Sequence, residues 1–211
     1  MKTRNKALLL TFGAVLLVAA SVLGTLAYLT STDKVVNTFT VGNVKITLDE
    51  ADVKTDGTYK ENQETRVEAN EYHLLPGHSY IKDPTVHVDA TSEDCYVFVK
   101  VENGISAYEA ATSTEEGGYK NIADQITANG WVALKYVTGV YYKEYTKSES
   151  GANLVVFEKF KIADEANKVD GWTGINPNTT KIEVTAYAVQ KDGFETASVA
   201  WTNTFGKPAN P

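Results

Sequence analysis

Beyond residue 40 the chain is written mainly with a period of two. Val44, Ile46 and Leu48 alternate with Lys45 and Thr47, and Ile182, Val184, Ala186 and Ala188 share one parity within residues 180–189. Successive side chains on a strand point to opposite faces, so each series predicts a half-buried strand. Residues 96–101 read Tyr-Val-Phe-Val-Lys-Val, apolar on both parities for most of their length. Such a run is expected at the centre of a sheet, covered on both sides. Residues 80–88, with Val86 and Val88 after Pro84, and residues 131–137, 140–145 and 154–162 complete the expected strands. They are rich in Val, Ile, Thr, Tyr and Phe, which suit a pleated, half-buried surface.

Turn signals divide these runs at Pro76-Gly77, Asn103-Gly104, Asn129-Gly130, Thr138-Gly139, Asp170-Gly171 and Asp192-Gly193. Thr138-Gly139, between two aromatic-rich runs, is the best hairpin candidate. Two helical stretches are expected: residues 121–128, with Ile122 and Ile126 on one face, and a short turn over residues 196–201. Many short strands between regular turns predict an all-β protein, an antiparallel β-sandwich with one or two short helices. Residues 49–70 and 106–120, polar and carrying Asp56-Gly57 and Gly117-Gly118, are expected as surface insertions. Residues 207–211 are expected to be a disordered tail, which leaves residues 41–206 as one sandwich domain.

The first 27 residues follow a different rule. Lys2, Arg4 and Lys6 precede an apolar run over residues 7–18, which thins through small residues to Ala27. A basic start, an apolar centre and a small-residue exit predict a secretory signal cut between Ala27 and Tyr28. Left uncut, the segment is long enough to serve as a membrane anchor, since a spanning helix needs about 20 apolar residues. Either way the bulk of the chain is expected outside the cell, and the membrane is touched only through an uncleaved leader.

Composition narrows the chemistry. The formal net charge is −7, and losing a leader with three basic residues and no acid makes the remainder more acidic. An acidic surface repels polyanions, so nucleic acid is not an expected partner. One cysteine, Cys95, excludes an internal disulfide, and its parity with Val97, Val99 and Val101 predicts a core position. The three histidines, His73, His78 and His87, fall close together with Asp83 and Asp89 nearby. Their spacing differs from a zinc-binding His-Glu-x-x-His helix, and Pro76-Gly77 and Pro84 interrupt any helix there. His73, His78 and Asp83 are the metal candidates, while His87 is expected to face away from Val86 and Val88. No catalytic constellation is read from the sequence, and no cofactor is expected. Tyr136, Tyr141, Tyr142 and Tyr145 form an aromatic region suited to sheet packing or to a protein or glycan contact surface.

Residues 28–40, rich in Thr and β-branched side chains, have strand propensity but no hairpin partner beside them. They are expected either at the edge of their own sheet or added to a neighbour's sheet.

The stretch Leu23-Gly24-Thr25-Leu26-Ala27-Tyr28-Leu29-Thr30, followed by Asn37-Thr38-Phe39-Thr40-Val41-Gly42-Asn43-Val44, resembles a family of exported Gram-positive proteins. This is the TasA and camelysin family of biofilm matrix proteins, processed by a SipW-type signal peptidase. Leu75-Pro76-Gly77, Lys82-Asp83-Pro84-Thr85-Val86, residues 96–101, Ala186-Tyr187-Ala188-Val189-Gln190 and Asp192-Gly193-Phe194 are similar to its strands. The likeness is thin over residues 106–176. It implies a jelly-roll-like sandwich, secreted and assembling with further copies into extracellular fibres. It also implies that residues 28–40 complement the next subunit, with Tyr28, Leu29, Val35, Val36 and Phe39 forming an assembly strand. The family is also catalogued as metallopeptidases, an activity not carried across because the zinc motif is missing. A non-enzymatic matrix subunit is therefore the leading expectation. The alternatives are a secreted camelysin-type metalloendopeptidase and a monomeric surface adhesin or glycan-binding module.

Overall fold

The computed structural model describes residues 30–32, 35–41, 43–61, 64–172 and 180–206. In chain order the strands are β1 (Thr30–Thr32), β2 (Val35–Val41), β3 (Ile46–Ala51), β4 (Arg66–Val67), β5 (Glu71–His73), β6 (Ser79–Ile81) and β7 (Thr85–Val88). They continue with β8 (Cys95–Asn103), β9 (Val132–Ala133), β10 (Val140–Tyr145), β11 (Ala152–Val155), β12 (Lys159–Lys161) and β13 (Ile182–Gln190). Helices α1 (Ile122–Ala128) and α2 (Ala197–Phe205) and a short 3-10 helix (Ala166–Lys168) complete the regular structure among the described residues.

The run apolar on both parities becomes β8, the middle of a five-stranded sheet in the order β2-β13-β8-β10-β9. Both of its neighbours are antiparallel, with Tyr187 opposite Phe98 on one side and Tyr142 opposite Phe98 on the other. Facing it is a four-stranded sheet, β11-β7-β3-β4. Cys95, Val97, Val99, Val184, Ala186 and Ala188 share the buried core between the sheets with Ile46, Leu48, Val86 and Val88. The chain is thus an all-β sandwich.

The second apolar face of β8 has its own cover. Tyr96 and Phe98 are buried against Ala197, Ala200 and Trp201 of α2, and the Phe98 and Trp201 rings meet edge to face at 5.2 Å. The Thr196 hydroxyl caps α2 by accepting from the Val199 N–H. The helical turn expected over residues 196–201 therefore extends to Phe205 and forms a third layer.

Three expected strands differ. Pro84 lacks an N–H, and residues 80–88 split around it into β6 and β7. Their partner run splits opposite, into β11 and β12, with the Val156 N–H donating to the Pro84 carbonyl at 2.8 Å. Residues 131–137 are extended only over β9, because Tyr136 takes the left-handed φ of 65°. The hairpin loop consequently begins at Leu134, whose N–H donates to the Val140 carbonyl. Gly139 is required there: a Cβ would sit 2.8 Å from the Val101 carbonyl oxygen. Residues 49–70 are not wholly a surface insertion, since Glu50, Ala51, Val53 and Asn70 are buried.

Trp201→Ala should lower stability by about 3 kcal/mol, the usual cost of emptying a buried aromatic site. Denaturant unfolding checks this; an unchanged midpoint would mean that α2 adds nothing to the sheet.

Candidate functional site

The N-terminal segment pairs in two places, at the edge of the five-stranded sheet through β2 and in a separate two-stranded sheet through β1. Strand β2 lies parallel to β13, pairing Phe39 with Tyr187 and Val41 with Val189, with a register shift between Val184 and Ala186. Strand β1 lies antiparallel to β5, pairing Thr30 with His73 and Thr32 with Glu71. Val35, Val36 and Phe39 all fall within β2. Ala27, Tyr28 and Leu29, with the cleavage position and the leader, lie outside the described residues. Parallel neighbours need a crossover connection; between β2 and β13 that connection is nearly the whole domain. The strand that follows β2 in the chain, β3, lies in the other sheet, so no hairpin joins β2 to β13. Remove it, and β13 becomes an edge with a row of unpaired main-chain groups.

The expected metal candidates do not converge. His78 is exposed, and His73 is half-buried on β5 with its Nε2 buried and without a hydrogen-bond partner among the described residues. Asp83 is held elsewhere, its Oδ1 accepting from the Ala51 N–H at 2.6 Å and its Oδ2 from Arg66 Nη1 at 2.9 Å. Arg66 also pairs with Asp49, which His87 Nε2 meets at 2.8 Å. Burial works against the Arg66 charge, but the carboxylates of Asp49 and Asp83 outweigh it and raise its pKa. His87 turns away from the buried Val86 and Val88, as its parity requires. Among the described residues, no three of His, Cys, Asp and Glu are placed together to hold a metal.

The sequence reading missed a buried polar triad behind the same strands. Lys82 Nζ donates to Glu50 Oε2 at 2.5 Å, with both side chains fully buried. Asn70 Nδ2 donates to Glu50 Oε1 at 2.7 Å and to the Ala51 carbonyl at 2.8 Å, while its Oδ1 accepts from the Val53 N–H at 2.9 Å. These partners fix the amide orientation, since a flip would face donor to donor and acceptor to acceptor. The missed signal was parity. Glu50 continues the inward series Val44, Ile46, Leu48, and Lys82 shares the parity of buried Tyr80.

The tyrosines do not form one surface. Tyr136 is 69% exposed, Tyr145 is buried, Tyr141 packs toward the inter-sheet core and Tyr142 toward α2. Cys95 lies in the core, where burial, with the Asp94 charge adding to it, pushes its thiol up to about 12. The folded chain keeps a proton that the unfolded chain releases above its ordinary pKa of 9.0. The thiol's contribution to stability is full below that pH and is lost as pH rises toward the folded value.

Iodoacetamide at neutral pH should leave folded Cys95 unlabelled and modify it once denaturant unfolds the chain. Labelling of the folded protein at the unfolded rate would contradict the buried placement. No protein-family model matches the chain, and neither a curated protein nor a solved structure matches it.

Proposed function

We propose that the chain is a secreted, non-enzymatic structural subunit of an extracellular matrix. A SipW-type signal peptidase cuts between Ala27 and Tyr28, and subunits then join by exchange of the N-terminal strand. The observation that carries this reading is the seat of β2 on β13, an edge pairing made of main-chain hydrogen bonds with no local connection. The equivalent segment of a second copy presents the same backbone and meets the same edge. Main-chain pairing supplies the affinity, and alternate side chains supply the register. Head-to-tail exchange of this kind is heterologous, and where the rotation does not close it produces a filament. An uncut leader keeps the segment tethered at the membrane, so cleavage sets the time of assembly.

Like-charged acidic subunits repel one another, so added salt should promote assembly by screening. Electron microscopy and size-exclusion chromatography test the reading on three forms: the chain beginning at Tyr28, the uncut chain, and a chain lacking residues 28–41. The first should give filaments. The other two should stay unassembled, and the truncated form should bind an added peptide of residues 28–41. Filaments of undiminished yield from the truncated form would sink strand exchange.

A further inference from the structure

Strand exchange makes no use of the buried triad of Glu50, Lys82 and Asn70. We propose that Lys82 and Asn70 are joined by an intramolecular isopeptide bond, which the folded chain forms by itself with Glu50 as proton carrier. The modification stands apart from the assembly reading and does not depend on it.

The geometry supplies the parts of an acyl transfer. A single carboxylate addresses both reacting groups: Oε2 is 2.5 Å from the Lys82 amine and Oε1 is 2.7 Å from the Asn70 amide nitrogen. The Val53 N–H, 2.9 Å from Asn70 Oδ1, polarises the carbonyl and is placed to stabilise an oxyanion there. Glu50 is 0% exposed, Lys82 1% and Asn70 6%, so water is kept from the site. Tyr72 and Tyr80, two positions from Asn70 and Lys82, are buried in ring contact with each other and with Phe160. Holding amine and amide in one dry site replaces an encounter in solution with a positioned pair.

The reaction balances without an oxidant or reductant. Burying two ions is costly, and passing one proton from Nζ to Oε2 leaves a neutral amine beside a carboxylic acid. The Nζ lone pair attacks Asn70 Cγ, and the carbonyl electrons move onto Oδ1 against the Val53 N–H. Glu50 takes a proton from Nζ and delivers one to Nδ2. The Cγ–Nδ2 bond then breaks, the carbonyl re-forms and ammonia departs, with the remaining proton on Glu50 or carried off as ammonium. The product is a secondary amide between the two side chains. It braces β5 and β6 in a chain whose single cysteine can form no internal disulfide, and β5 is the strand that seats β1.

Intact mass spectrometry of the purified full chain, incubated until its mass is constant, provides the test. The expected mass is lower than that of the sequence by one ammonia. A tryptic digest should yield one branched peptide joining Asn70 to an uncut Lys82. Lys82→Arg and Glu50→Gln should each restore the sequence mass, and Asn70→Asp should lose one water in place of ammonia. A cooperatively folded wild-type chain with its full sequence mass would overturn the proposal, whatever the variants do. So would an ammonia loss mapped instead to a cyclised Asn103-Gly104 or Asn129-Gly130.

Discussion

A strand inside a sheet leaves no main-chain N–H or C=O without a partner, and β13 draws its partners from two separate parts of the chain. On one side it pairs with β8 along its whole length; on the other it takes β2, the edge strand of the same sheet. The first pairing is locked by burial, because β8 is covered by the facing sheet on one side and by α2 on the other. The second is an edge pairing. The same need for main-chain partners therefore seats β2 at the edge of the five-stranded sheet, the pairing on which the proposed strand exchange rests.

Adjacent residues send two polar networks to opposite faces of the same layer. Asp49 points outward to Arg66 and His87, while Glu50 points inward to Lys82 and Asn70. The alternation repeats on the crossing segment, where Lys82 goes in and Asp83 goes out to Arg66. The outer network keeps contact with water and behaves as surface ion pairing, whose worth is modest. The inner one is buried, and there each Glu50 oxygen and both ends of the Asn70 amide meet a specific partner. That difference in surroundings separates a supporting contact from a site where side-chain chemistry is feasible.

The histidines and tyrosines carry the contrary lesson. Proximity along the chain placed His73, His78 and Asp83 together as metal candidates, yet the turn at Pro76-Gly77 and the break at Pro84 send them to different surroundings. Tyr141 and Tyr142 are neighbours in sequence and face opposite layers, for the same period-two reason that predicted their strand. Residue type and spacing locate candidates; the strand's parity and the turns decide whether they meet.

By itself the sequence determined the all-β class, the central place of β8, the inward parity of β3 and β13, the core position of Cys95 and the first turn of α2. All of these rest on local periodicity and turn chemistry, which neighbouring residues specify. The tertiary structure alone decided that β2 lies parallel to β13, that α2 makes a third layer over Tyr96 and Phe98, and that Glu50, Lys82 and Asn70 share one buried site. The parity of Glu50 was legible; the identity of its partners was not. Those partners come from segments distant in the chain, and the pairing of β3 with β4 and with β7 brings them within hydrogen-bond reach.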